Sequence, residues 1–343
     1  MRKSIIAAIL CAVAIGCPIV ASAQSSDLRL VTSPLPINLT AKPGTDATTQ
    51  IRIKNDGQSA ETLKVTLMKF GAYGETGSPR ISDPEPADEF ISWVSFPERQ
   101  FSIGPGEWKS VPMKITLPES AAFGYYYAVV FSRADDTPEV QSGQTAISGG
   151  TAVLALLDAD VPGAKRETRV ASYLADHSVY EFLPATFTVR LENTGNIHLS
   201  PRGNVFVGRV GEQDTEILEI NQEKGNILPG SFREYSTSWT DGFPAYKDKL
   251  VDGKVVRDEK GNIVRELSWD LGNIAKFRFG KYQAKMLMVY DDGHRDIPLE
   301  GTVEFWVIPW RILLAGIVMI ILILIGLRST VVGLLKNTSK RNK

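Results

Sequence analysis

Residues 49–57 read TQIRIKNDG, and residues 187–195 read FTVRLENTG. In each run polar and apolar side chains alternate and the alternation stops at Asn-x-Gly. A period of two marks a strand with one buried face. Asn and Gly both tolerate positive φ, so a turn follows the strand. Two more matches come later in the same order. Ile103-Gly104-Pro105-Gly106-Glu107-Trp108 resembles Ile227-Leu228-Pro229-Gly230-Ser231-Phe232, a tight turn that returns an aromatic to the next strand. Phe123-Gly124-x-Tyr126-x-Ala128 matches Phe279-Gly280-x-Tyr282-x-Ala284, and an apolar strand follows each.

Three ordered matches point to one fold used twice. Leu63, Val65 and Leu67 alternate with Thr62, Lys64 and Thr66 in the same manner, and no long amphipathic helix pattern lies between residues 24 and 304. Short alternating runs separated by Gly, Pro, Asn and Asp predict antiparallel sandwiches. The expected fold is therefore all-β: two immunoglobulin-like antiparallel β-sandwich domains, over residues 24–163 and 164–304, plus one C-terminal transmembrane helix. Each copy carries an insertion. Residues 71–100 include the acidic stretch from Asp83 to Glu89, and residues 245–269 include Asp252-Gly253 and Lys260-Gly261-Asn262, read as turns of a charged hairpin.

The two ends place the chain. Arg2 and Lys3 precede an apolar run from Ile5 to Val20, and Ala21-Ser22-Ala23 supplies a signal-peptidase site. Residues 1–23 thus read as a leader. A rival reading takes Ala14-Ile15-Gly16-Cys17 as a poor lipobox with Cys17 lipidated. Both cysteines, Cys11 and Cys17, fall in the leader, so disulfides and thiolate metal sites are excluded from the mature chain. At the other end Trp306 to Leu327 reads WVIPWRILLAGIVMIILILIGL, and at 1.5 Å per residue this spans about 33 Å. The expected membrane helix covers residues 305–328. Trp306 and Trp310 suit one interface, Arg311 snorkels toward it, and Arg328 opens a basic tail over residues 329–343. The tail has no acid, so the positive-inside rule puts it in the cytoplasm and the two sandwiches outside. Between leader and helix, thirty bases face 39 acids, a net charge of about −9. Such a surface argues against nucleic acid.

Catalytic, cofactor and metal motifs are absent from the sequence. His177, His198 and His294 are far apart and lack ligand spacing, and they read as loop histidines. Asp83 to Glu89, and Asp291, Asp292 and Asp296, lack calcium-loop spacing and read as solvated turns. The candidate ligand contacts are aromatic. If Tyr126 points inward like Tyr282, then Tyr125 and Tyr127 point outward and join Trp93 and Phe96 as a stacking surface. The bland alternative is that a loop covers them.

Leu30-Val31-Thr32-Ser33-Pro34-Leu35-Pro36, Lys54-Asn55-Asp56-Gly57, Trp93, Pro105-Gly106 and Phe123-Gly124-Tyr125-Tyr126 together resemble the first domain of the WxL-interacting proteins of Gram-positive bacteria. That resemblance implies a peptidoglycan-binding first domain, a second Ig-like domain that binds host surfaces, one transmembrane helix and a short basic tail. The motif match is confined to about residues 28–135, and the charged insertion in the second domain departs from the family. The resulting expectation is a non-enzymatic, single-pass cell-surface protein that contacts peptidoglycan or another surface protein, with membrane lipid around its helix. The alternative is a chaperone-like or structural protein that offers a strand edge to a client chain.

Overall fold

The computed structural model describes residues 28–136, 139–140 and 147–341. The expected leader with Cys11 and Cys17 lies outside the described residues, as do the side chains of Lys336, Lys340, Arg341 and Lys343.

The first domain contains β1 (Leu30–Ser33), β2 (Ile37–Ala41), β3 (Asp46–Asn55), β4 (Glu61–Tyr73), β5 (Ser78–Ser82), β6 (Val94–Ser95), β7 (Gln100–Ile103), β8 (Trp108–Thr116), β9 (Gly124–Arg133), β10 (Glu139–Val140), β11 (Ile147–Ser148) and β12 (Gly150–Ala159). One sheet has the order β1-β3-β8-β6, the other β2-β12-β9-β4-β5, with β7 also on β4. The second domain contains β13 (Thr168–Ala175), β14 (Val179–Tyr180), β15 (Ala185–Asn193), β16 (Arg202–Arg209), β17 (Asp214–Ile220), β18 (Phe232–Trp239), β19 (Ala245–Asp248), β20 (Leu250–Val251), β21 (Lys254–Val255), β22 (Arg265–Ser268), β23 (Gly280–Asp291) and β24 (Asp296–Val307). Its sheets run β13-β15-β18 and β14-β24-β23-β16-β17. Pairing is antiparallel except where β2 joins β12 and β14 joins β24. The chain is thus a pair of immunoglobulin-like sandwiches followed by the helix α1 (Trp310–Arg341).

Alternation sends one face of each strand into a core. Ile51, Ile53, Leu63, Phe131 and Leu157 fill the first core; Phe187, Val205, Trp239, Met286 and Phe305 fill the second. Burying one such side chain stabilises by about 1.5–3 kcal/mol.

The first two sequence matches meet in space, in the same way in both domains. Asn55 is fully buried; its Nδ2 donates to the carbonyls of Ser59 (2.7 Å) and Ile103 (3.3 Å), and its Oδ1 accepts from Gly57 N (2.9 Å). Asn193 repeats this with Ile197 (2.9 Å), Ile227 (2.9 Å) and Gly195 (2.8 Å). The Pro-Gly turns close the corners: Gly106 N donates to the Asn55 carbonyl and Gly230 N to the Asn193 carbonyl. Both glycines sit at positive φ, 71° and 68°, where a side chain is strained.

The third match aligns in sequence but not in space. Tyr282 and Ala284 face the core, whereas their counterparts Tyr126 and Ala128 face away from it. Phe123 takes φ 65° before β9, while in the second copy it is Gly280 that takes positive φ, 122°. The two strands therefore start out of phase by one residue, which turns every side chain over.

The end of the second domain also differs from expectation. Strand β24 continues through Trp306 to Val307, which pair with Lys281 and Gly280, so Trp306 belongs to the sheet and not to the helix. Pro309 has no N–H, and its carbonyl accepts the first helical bond from Leu313 N (3.1 Å). From Trp310 to Val331 the helix is long and apolar enough to cross a membrane. Arg311 stacks over Trp310 and lies 3.4 Å from the Glu181 carboxylate, so it is tied to the second domain. Arg328 is exposed on the helix.

Candidate functional site

The outer face of the β12-β9-β4-β5 sheet is apolar. Met68, Phe70, Ile81, Ala128, Val130 and Leu156 form a third cluster there, with Ala152, Leu154 and Tyr126 around it and Leu228 of the second domain packed on it. In β9 and β12 nearly every residue from Ala128 to Phe131 and from Ala155 to Ala159 is buried, on both faces.

Charged contacts fix how the second domain meets this face. The turn after β4 carries Glu75 onto the β15–β18 pair. Arg190 donates to both Glu75 oxygens at 2.6 Å while its guanidinium lies 3.8 Å from the centre of the Phe232 ring. Glu234 N adds a bond to the Glu75 carbonyl. The Arg190 hydrogen bonds hold the Glu75 carboxyl below the usual carboxylate range, against the opposing effect of burial. Near the linker the buried Asp158 at the end of β12 meets Arg166 at 2.8 Å and His198 Nδ1 at 2.9 Å. His198 also packs edge-on to Tyr126, whose phenol burial pushes up. The linker itself is held by Asn196, which binds Lys165 N and the Gly163 carbonyl.

Between these two sets of contacts a cleft of about 720 Å³ remains open. Leu35, Phe70, Ile81, Ala152 and Leu154 line its first-domain wall, and Lys224, Leu228 and Arg233 its second-domain wall. Arg233 is wedged between Gly77 and Gly225, where a Cβ on either glycine would collide with the guanidinium. It donates through Nη1 to the Asn226 carbonyl, and its buried Nε has no partner.

One edge of the sheet opens onto this cleft. Strand β2 pairs with β12 only from Ala155 to Ala159. Among the described residues Gly150 to Leu154 pair with β9 on one side and with no strand on the other. That edge lies at the mouth of the apolar wall.

The aromatic stacking surface expected from the sequence is not present as such. Tyr127 is fully buried and its hydroxyl donates to the Phe90 carbonyl at 3.2 Å. Tyr125 faces the core as well and packs against Trp93, ring centres 4.7 Å apart, and Phe90. The segment Glu89–Trp93 is the covering loop. Phe96 is half-buried on the same core. The phase of β9 is the cause: Tyr125 and Tyr127 point in, and Tyr126 points out to the interdomain face. His198, read as a loop histidine, is buried at that face; His177 and His294 do lie in exposed loops. Among the described residues no three His, Cys, Asp or Glu side chains converge as metal ligands. Sequence reasoning missed Glu75, Arg190, Asp158 and Arg233. Arg190 and Glu75 are 115 residues apart, and although Arg166 is eight residues from Asp158 and Asn226 seven from Arg233, no motif marks either pair.

No protein-family model matches the chain, and no curated protein matches it in sequence. Among solved structures it is similar to the class 5 fimbriae chaperone CfaA, at 14% identity over 80% of this chain and 98% of that one, with a TM-score of 0.33. It is similar also to the Pseudomonas aeruginosa CupB2 chaperone, at 9% identity over 81% and 100%, TM-score 0.33. A Porphyromonas gingivalis W83 protein of unknown function aligns at 14% identity over 80% and 99%, TM-score 0.27. Likenesses this distant say nothing about partner or activity.

Proposed function

We propose that this chain is a membrane-anchored, extracytoplasmic binding protein whose first domain takes up an extended segment of a partner protein. The segment pairs with the free edge of β12 and lays alternate side chains into the cleft. The carrying observation is the edge of Gly150–Leu154 opposite β9, which pairs with no strand among the described residues and lies beside the apolar wall of Phe70, Ala152 and Leu154. Backbone pairing gives affinity and the wall gives selectivity, as in other strand additions. The helix α1 holds the protein in the membrane, with the basic tail inside. This favours a protein partner over peptidoglycan, because the aromatics that would stack on sugar rings are committed to the core. Kinship with the WxL-interacting proteins belongs to the same proposal and leaves open which surface protein is bound.

A photo-crosslinking amino acid at Ala152 in the full chain, in intact cells, is expected to give discrete protein adducts; the same probe at Lys285 on the second domain should give none. Equal labelling at both positions, or sedimentation of the chain with purified wall polymer and no adduct at Ala152, would overturn the reading.

A further inference from the structure

The second domain carries an apolar patch that its sandwich does not use. Two 3-10 turns over Leu271–Lys276, hinged at Asn273 and capped by Asp270, present Leu271 (71% exposed) and Ile274 (62%). Phe277 follows at the same three-residue spacing, which keeps side chains on one side of a 3-10 turn. Trp269, 56% exposed, and Phe279 flank them.

A relay of contacts links this patch to the start of α1. Arg311 reaches Glu181 at 3.4 Å. The next residue, Phe182, packs on Trp269, and Trp269 on Phe243. Phe243 bridges through its backbone to Phe277. Phe279 directly precedes Gly280, which pairs with Val307 at the end of β24. The patch therefore sits at the end of the domain where the chain passes into the helix, alongside Trp306 and Trp310. Of the acids beside it, Asp241 is raised by burial but held low by Lys276 (2.5 Å) and Arg278 (2.6 Å), and Asp270 accepts from Gly272 N and Asn273 Nδ2.

We infer that Trp269, Leu271, Ile274 and Phe277 form a second membrane contact, a loop that dips into the headgroup layer of the bilayer that α1 crosses. The inference rests on the reading of α1 as a membrane-spanning helix. Its occupant is lipid because the patch is continuous with the helix start. Its composition, aromatic and aliphatic tips with Lys276 and Arg278 behind them, is that of interfacial segments. With two attachments, the domain is fixed in tilt as well as in place.

The chain lacks cysteine after its leader, so single nitroxide labels are clean reporters. Leu271→Cys, Ile274→Cys, Ile321→Cys in the helix and Ile217→Cys on exposed β17 are labelled in the full chain. Each is reconstituted into phosphatidylcholine–phosphatidylglycerol vesicles. The ratio of oxygen to nickel-complex collisions at 271 and 274 is expected several-fold above that at 217, approaching the value at 321. A bilayer value at 321 with water-like values at 271 and 274 overturns the dipping loop and leaves the spanning helix standing. Water-like values at 321 overturn both.

Discussion

The two sandwiches share their corners and differ on their outer faces. On β9 and β12 the outward positions are Tyr126, Ala128, Val130, Ala152, Leu154 and Leu156. On β23 and β24, the equivalent hairpin of the second domain, Lys281, Gln283, Lys285, Glu300, Thr302 and Glu304 run through the middle of the face, with Lys281 paired to Glu304 and the apolar Leu287, Val289, Pro298 and Trp306 toward its ends. The same strand pair is a dry wall in one domain and a solvated surface in the other. A fold can be copied whole while its binding capacity stays with the copy whose outer face keeps apolar side chains. A sheet buried on both faces has no use for alternation, and that is where the cleft lies.

Putting one charge on each outer face tests this contrast most sharply. Leu154→Asp should abolish adducts at Ala152, a loss of tenfold or more for about 1.4 kcal/mol per decade, while Leu287→Asp should leave them unchanged. If both reduce capture equally, the asymmetry is not functional. The shared corners give the next effect. Asn55→Ala and Asn193→Ala should each lower stability by about 2–4 kcal/mol, because buried backbone groups lose their partners. Calorimetry of the full chain in detergent should place each loss in its own domain. The larger loss is expected for Asn193, whose bond to Ile227 is shorter than that of Asn55 to Ile103. A silent Asn55→Ala would break the equivalence.

The smallest effect concerns the joint between the domains. The Glu75 carboxyl is depressed by Arg190, so its contribution is complete above pH 4.5, the ordinary glutamate value, and is lost as the pH falls through the depressed value. Energy transfer between dyes on Gln100→Cys and Glu219→Cys should stay constant from neutral pH down to that point and then fall. Glu75→Gln should show the acid value throughout. A change centred near neutrality would point to another group.

The corners were legible in the sequence because each depends on residues at fixed short spacing: an Asn to bridge two carbonyls, a Gly for the turn. The long apolar helix was legible because about twenty apolar residues in a row match the thickness of a bilayer and exceed what a soluble core demands. The phase of β9 was not legible. Tyr125 to Phe131 is apolar at every position, so period two leaves no trace, and matching Phe-Gly-x-Tyr motifs selected the wrong face. The helix start is ambiguous in sequence for a similar reason. Trp306 and Val307 suit a strand and a bilayer equally, and Pro309 decides between them. The joint was hidden because Glu75 and Arg190 are 115 residues apart, and nothing local to either announces the other.

Only Ile308 and Pro309 separate the last strand from α1, and Arg311 is already bound to the sandwich. The protein hence has no leash. On the proposed reading of α1 as its membrane anchor, its cleft cannot sweep a volume above the lipid as a receptor on a long stalk does, and its search is confined to lateral drift and spin within the plane. Such confinement favours clients that are themselves held at the same surface, where both molecules meet with their orientations largely set beforehand.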